Sequence, residues 1–383
     1  MVRYLYFDNN ATTQPLEAVV EAMLPFLRDQ YANPSSLHAF GQGVRHRIEC
    51  AREQVAALIG SDAREIVFTS GGTEAIHLAV RGTLNATSDR PKLVISDVEH
   101  SAVRKLADRL KREGRPVETV PVDGLGRLDL DALASVLTAD TGLLSVMWAN
   151  NETGVLFDID RVAAIALDRG VPLHVDAVQA AGKVPIDVSR VPVSLLSVSG
   201  HKLHGPKGVG ALYVRKRRRL EPLLTGGGQE RNLRAGTENV PGIIGLGVAA
   251  EAAVREGPAE ADRTRDLRDT LERGICEAVP SARVNGAEAP RIGNTTNIGF
   301  AGLQAETILL LLSERGVCAS AGAACSSGSL EPSHVLRAMG VDTRYAHGSV
   351  RFSLSRFSTP DEVREVIGLM PEIVSRLTPV HSR

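Results

Sequence analysis

Lys202 stands in the stretch Ser199-Gly-His-Lys-Leu-His-Gly-Pro-Lys-Gly-Val-Gly210, directly after the apolar run Val193–Val198. This pattern predicts a strand ending in a turn that presents one lysine among small and polar groups. Such a lysine forms a Schiff base with an aldehyde cofactor once its pKa is lowered. Taken alone it reads more readily as a solvated turn lysine, as most lysines are. Asp176 changes the balance, because it closes another apolar run, Val171-Pro-Leu-His-Val175. A carboxylate there can keep a pyridinium nitrogen protonated, which is the partner that pyridoxal phosphate (PLP) needs. The pair Lys202 and Asp176 therefore predicts PLP as cofactor.

Other candidate groups follow strand-like runs in the same way. Thr69-Ser-Gly-Gly-Thr-Glu74 joins a run to a helical pattern. Gly72 lets backbone N–H groups approach a phosphate at the positive helix end, and Thr73 adds a hydroxyl. A plain N-capped helix is the structural alternative. No GK[ST] follows, so this is not a Walker loop. Gly245-Leu-Gly-Val-Ala-Ala250 fits a dinucleotide fingerprint but has no strand before it, so packing glycines are expected. His100 follows the run Lys92–Ser96, where an imidazole can lie flat on an aromatic ring, although a lone His is more often structural. Asn150-Asn-Glu-Thr-Gly154 offers amide donors, or only a turn. Asp176 and Gln179 are three residues apart and can face one ligand. Ligands of open α/β sheets bind at the carboxyl ends of strands. Packing alone does not explain five such segments together.

Cys325 lies in Ala319-Ser-Ala-Gly-Ala-Ala-Cys-Ser-Ser-Gly-Ser-Leu-Glu-Pro332. Small residues without apolar periodicity predict a mobile surface loop, and an exposed thiol there is a candidate nucleophile. Cys50 and Cys276 fall in helical patterns and read as packing residues; Cys318, at the loop's edge, is a weaker candidate. Arg351 sits in an apolar strand pattern and so in a cleft or interior, where it needs a carboxylate, whether a substrate's or a structural partner's. The run Arg215–Arg219 reads as a solvated loop, with a docking patch as its alternative.

These groups need a scaffold of strands and helices in alternation. Strand-like runs at Glu65–Thr69, Lys92–Ser96, Gly142–Met147 and Gly210–Val214 alternate with helical patterns at Gly72, Ser101–Glu113 and Asp158–Arg169. The expected fold class is α/β: a large PLP-binding domain with a mainly parallel sheet flanked by helices, plus a smaller α+β domain. The expected boundaries are 1–15 for an N-terminal segment joining the small domain, 16–255 for the large domain and 256–383 for the small one with the cysteine loop. A helix from Gly242 to about Val254 and a second, charged one from Ala259 to Ala278 are expected between them.

Composition excludes little chemistry but several settings. The 383 residues carry 44 basic against 45 acidic groups, a net charge of −1, so nothing global points to nucleic acid or a membrane surface. Residues 1–8 lack the apolar core of a secretion signal, and no apolar run is long enough to span a bilayer. The four cysteines form no CxxC pair and no zinc spacing, so no metal is expected and the thiols should be reduced, as in the cytoplasm.

Together these residues resemble the cysteine desulfurases, class-V members of the fold-type-I PLP enzymes. The resemblance covers nearly the whole chain. It runs through Phe7-Asp-Asn-Asn-Ala-Thr-Thr13, Asn33-Pro-Ser-Ser36, Gly72-Thr73-Glu74, Asn151-Glu152, Asp176 with Gln179 and Ser199-Gly-His-Lys202. It continues through Gly226-Gly-Gly-Gln-Glu-Arg231, Arg234-Ala-Gly-Thr-Glu-Asn239, Cys325–His334 and Arg351-Phe-Ser353. The long cysteine loop is similar to that of the nitrogen-fixation and housekeeping iron–sulfur enzymes. Ala321-Gly-Ala-Ala324 departs from the serines usual there.

The resemblance implies that Thr73, Ser199 and His201 hold the phosphate, and that Thr237 reaches the phosphate of a neighbouring subunit in a homodimer. It implies that His100 stacks on the ring, Asp176 pairs with its nitrogen and Gln179 contacts its phenolic oxygen. Asn151 and Arg351 would fix the substrate carboxylate, Lys202 would carry the cofactor, and Cys325 would take the sulfur of L-cysteine as a persulfide. The expected partner is a sulfur-acceptor protein serving iron–sulfur cluster assembly or nucleic-acid thiolation. A selenocysteine lyase or other class-V PLP enzyme would share Lys202 and Asp176 without needing Cys325. A non-enzymatic sulfur-relay scaffold would need no cofactor.

Overall fold

The computed structural model describes residues 4–87, 89–322 and 331–378. Its strands, in chain order, are β1 (Leu5–Tyr6), β2 (Ile66–Thr69), β3 (Lys92–Ser96), β4 (Val117–Val120), β5 (Thr141–Met147) and β6 (Leu173–Asp176), followed by β7 (Leu195–Ser199), β8 (Gly210–Val214), β9 (Ala282–Val284), β10 (Thr295–Phe300), β11 (Val317–Cys318) and β12 (Ser349–Ser353). Seven of them form one sheet in the order β2-β8-β7-β6-β5-β3-β4. From β4 to β7 all neighbours are parallel. β8 runs antiparallel to both β7 and β2, so two reversals return β2 to the direction of the parallel strands. The carboxyl ends of β2, β3, β5, β6 and β7 therefore share one edge. Every residue of β5, β6 and β7 is buried, as strands covered by helices on both faces must be. This is the α/β architecture with a largely parallel sheet that the alternating pattern predicts.

A second core lies apart from this sheet. Leu5 and Phe7 pack with Leu271, Phe300, Ile308, Phe352 and Met370, and the rings of Phe7 and Phe352 meet edge to face with centroids 6.4 Å apart. β1 pairs in parallel with β11, and β12, β10 and β9 form an antiparallel sheet. The start of the chain is thus built into the C-terminal core. That threading carries Asp8–Ala11 to the functional edge of the large sheet.

The two helices expected between residues 242 and 278 are one, Val240–Ala278, with Pro258 inside it. The lost backbone hydrogen bond at proline is offset by burial at both ends. Ile243, Leu246 and Ala250 join the core of the large sheet, whereas Leu267, Leu271 and Ile275 join the second core. Gly245 and Gly247 are packing glycines: a Cβ on either would lie 2.8 Å from Met23 Sδ or 2.7 Å from Ala51 Cα. β4 carries no clear sequence signal, because this edge strand is half exposed and lacks an apolar run.

In the run Arg215–Arg219, Lys216, Arg217 and Arg219 are exposed as expected, but Arg215 is not. The Arg215 guanidinium donates to the carbonyls of Val193, Val188 and Val191 at 2.7–2.8 Å, which fastens the strand end to its neighbour. Among the described residues, no helix is long and apolar enough to cross a membrane.

Candidate active site

A cavity of about 540 Å³ opens at the carboxyl edge of the sheet. Its wall includes Gly72, Thr73, His100, Asn151, Asp176, Gln179, Ser199, His201, Lys202 and Arg351. The structure thus brings together all the described candidates but one. Thr237 is exposed and does not line this cavity. Its segment is tethered nearby by Arg234, whose Nε lies 3.0 Å from Glu74 Oε1 at the start of helix Gly72–Ala86. Cys325 lies outside the described residues.

At one end of the cavity that helix begins without a side-chain cap. Its first backbone N–H groups and positive dipole end face a recess of about 440 Å³ shared by Thr73, Ser199, His201 and Lys207. Close packing forces the small residue: a Cβ on Gly72 would lie 2.8 Å from Val178 Cγ2. Burial, with Lys202, Lys207 and Lys183 nearby, pushes His201 down to about 4, so its ring is neutral. The donors and the uncapped helix end fit a phosphate.

At the other end Asp176 closes β6, and one of its oxygens accepts the Val178 N–H at 3.0 Å. Burial pushes this carboxyl up, against the pull of His100, the Val178 N–H and Lys202. A buried carboxylate is costly unless a cation meets it, so the site favours a protonated ring nitrogen at that point. His100 caps helix Ser101–Arg112 by accepting the Ala102 N–H on Nδ1 at 3.2 Å. Burial lowers its pKa, and with Nδ1 already an acceptor the ring is neutral. A phosphate cradle, a buried carboxylate and a neutral flat ring on the wall of one cavity fit PLP.

Lys202 ends the three-residue turn Gly200–Lys202 after β7. Its Nζ donates to the carbonyls of Asn10 at 2.5 Å and Ala11 at 2.7 Å. Asn10 is a hub to which sequence reasoning gave no role. Its Nδ2 donates to Thr295 Oγ1 and to the Asn151 carbonyl, and its own carbonyl also accepts Gln179 Nε2. Arg351 on β12 is buried and meets a structural carboxylate, with Nη2 2.7 Å from Asp8 Oδ1. Its Nη1 donates to the carbonyls of Asn151 and Gly322. Arg351 thus has the structural ion-pair partner that is one of its two readings, and it also lines the cavity.

Two buried acids were also missed. Glu152 accepts Ser333 Oγ at 2.5 Å, and burial raises its pKa against Ser333, Arg351 and Arg104. A Cβ on Gly322 would lie 2.8 Å from Glu152 Oε2, and φ there is +90°, so glycine is required on both counts. Gly322 and Ser333 flank the segment that contains Cys325, and both touch Glu152.

Glu99 is fully buried, accepts Ser96 Oγ and the Met147 N–H, and is pushed up to about 8 by burial and by Asp176. The native state therefore holds a proton on Glu99 that the unfolded chain releases near its ordinary pKa. Stability from this group is complete below the unfolded value and is lost as pH rises through 8. Glu99→Gln is expected to flatten that loss. Between pH 6 and 9 the wild type should lose melting temperature relative to the variant, and parallel curves would refute the assignment.

Comparisons with known proteins agree on one family. Residues 5–366 match the family described as Aminotransferase class-V. The cysteine desulfurase NifS of Azotobacter vinelandii is 52% identical over 374 residues, 97% of this chain and 93% of that protein. A cysteine desulfurase of Trichormus azollae is 50% identical over 373 residues, with the same coverage of each. Among solved structures, a NifS-like protein superposes with a TM-score of 0.91 at 38% identity, over 98% of this chain and 100% of that one.

Proposed function

Because the chain belongs to the class-V aminotransferase family and is a PLP-dependent cysteine desulfurase, we propose that Lys202, Asp176, His100, Arg351 and Cys325 divide its chemistry as follows. PLP, when bound, supplies an aldehyde that condenses with amines and a ring that withdraws electrons from the substrate's Cα. Thr73, Ser199, His201 and the N–H groups at Gly72 hold its phosphate. Asp176 holds the ring nitrogen as a cation, Gln179 faces the phenolic oxygen, and neutral His100 covers the ring face. Arg351 and Asn151 orient the carboxylate of L-cysteine, with Asp8 giving up part of the guanidinium. The Lys202 amine carries a proton to and from Cα.

The thiolate of Cys325 forms a bond to the substrate sulfur as the substrate's C–S bond breaks. The electron pair stays with the carbon, which takes a proton and leaves as L-alanine, and Cys325 keeps the sulfur as a persulfide. A second protein then accepts that sulfur. Iron–sulfur cluster assembly is the destination in keeping with the NifS relative, and nucleic-acid thiolation is the other. Thr237, exposed beside the phosphate recess, supports a homodimer in which it reaches the neighbouring subunit's cofactor. Residues 1–15 and 256–383 make a small domain on 16–255, a division supported by the separate core around Phe7 and Phe352. A balanced net charge is in keeping with a cytoplasmic enzyme.

The observation that carries this reading is the buried Asp176 carboxylate facing the same cavity as Lys202. Asp176→Asn should still take up PLP, because the phosphate cradle is untouched, but lose most alanine formation. An amide does not maintain the cationic ring. Activity within about tenfold of wild type, ~1.4 kcal/mol of barrier, would refute the ring-nitrogen role.

A further inference from the structure

A chain of donors reaches Gln179 from a residue that the sequence did not point to. Lys183 Nζ donates to Gln179 Oε1 at 2.9 Å, and Gln179 Nε2 donates to the Asn10 carbonyl at 2.9 Å. The same carbonyl accepts Lys202 Nζ. Local backbone makes the first contact possible. The Ala181 N–H reaches the Ala177 carbonyl, the Val184 N–H reaches that of Ala180, and Gly182 takes a φ of +74°. That tight turn folds Lys183 back over Gln179. A carboxamide has two ends of similar shape and opposite chemistry. The Lys183 donor on its oxygen acts together with the Asn10 carbonyl on its NH₂ to set which end faces the cavity.

We propose that Lys183 is a positioning residue that acts through Gln179, holding the carboxamide oxygen so that the NH₂ end is the one offered to bound PLP. The inference rests on the reading of Gln179 as the group facing the phenolic oxygen. Lys183 and Lys202 both line a second, smaller cavity of about 50 Å³ behind the site. The charged and titratable groups around Lys183 are Lys202, Arg351, His201, His204, Glu260 and Arg356. Burial, then Lys202 and Arg351, brings the Lys183 amine down to about 7. Either protonation state keeps N–H donors, so the positioning persists across neutral pH. The sequence signal is slight: a lysine four positions after Gln179, in a turn that passes through Gly182.

The test uses the PLP-loaded enzyme and reads the midpoint of the pH titration of the cofactor's visible absorbance. A donor on the phenolic oxygen stabilises its anionic form and weakens the proton shared with the Lys202 linkage, so losing the donor raises the midpoint. Gln179→Ala and Lys183→Met should each raise it by about one pH unit, the scale of one hydrogen bond or neighbouring charge. The double variant should go no further than Gln179→Ala alone, and Lys183→Arg should restore the wild-type midpoint. Lys183→Leu is made in parallel, so that a folding defect in one variant leaves the other to answer. An unshifted midpoint in Lys183→Met or Lys183→Leu, beside a shifted Gln179→Ala, overturns the proposal and leaves the reading of Gln179 standing. Additive shifts in the double variant overturn it too, since Lys183 would then act by its own charge. An unshifted Gln179→Ala overturns the cofactor-facing reading and the proposal with it.

Discussion

Lys202→Ala is expected to lower alanine formation from L-cysteine by about a thousandfold or more, ~4 kcal/mol of barrier, the scale of a lost acid–base group. Of the other amines near the site, Lys105 lines the cavity from helix Ser101–Arg112, where it is exposed to solvent. Lys183 is committed to Gln179 Oε1 on the far side of the Asn10 carbonyl, and Lys207 lies with the phosphate donors. The Lys202 amine is held just beyond β7 by two backbone carbonyls from near the start of the chain. A shorter side chain loses both contacts and leaves the substrate's Cα without a proton carrier. Covalent attachment gives an independent check. Borohydride reduction of the PLP-loaded wild type, followed by peptide mapping, should place the cofactor on Lys202. A label on Lys183 or Lys207 overturns the assignment, and so does a Lys202→Ala enzyme that turns over within tenfold of wild type.

Legibility of the site in the sequence followed the topology. Asp176, Ser199, His201 and Lys202 close or directly follow strands, so an apolar run marks each of them locally. A parallel sheet then gathers those ends without further information. What stayed hidden depends on contacts far apart in the chain. Asn10 joins the site only because β1 pairs with β11, which brings its carbonyl within reach of a lysine 192 positions away. The Asp8 partner of Arg351 lies 343 positions from it. Glu99 sits next to His100 and looks polar and exposed by type; only the packing of Ser96 and Met147 around it makes it a neutral, interior acid. The continuous helix through Pro258 was hidden for the same reason, since two separate cores stabilise its halves. Local propensity describes the helix interior poorly when tertiary burial outweighs it.

Cys325→Ser separates desulfuration from the other reactions that a PLP site of this kind supports. Lys202, Asp176 and the phosphate donors are untouched, so the variant should load PLP and bind L-cysteine with the wild-type spectrum. Alanine and sulfide formation should vanish. A thiol of ordinary pKa is a few per cent thiolate at neutral pH, whereas a serine hydroxyl is essentially un-ionised and holds no sulfur as a persulfide. Mass spectrometry of the wild type after a brief pulse of L-cysteine should show one added sulfur on the peptide containing Cys325, and none on those containing Cys50, Cys276 or Cys318. Two of these other thiols are poor nucleophiles, because burial pushes both Cys276 and Cys318 up, and neither lines the cavity. Ser333, by contrast, donates to Glu152, which lines the cavity, as does Gly322. A Cys325→Ser enzyme that releases alanine from cysteine at the wild-type rate would place the chain's chemistry with a lyase that needs only Lys202 and Asp176. The added sulfur must then appear on no cysteine of the chain, and that pair of outcomes leaves Cys325 without a role in the reaction.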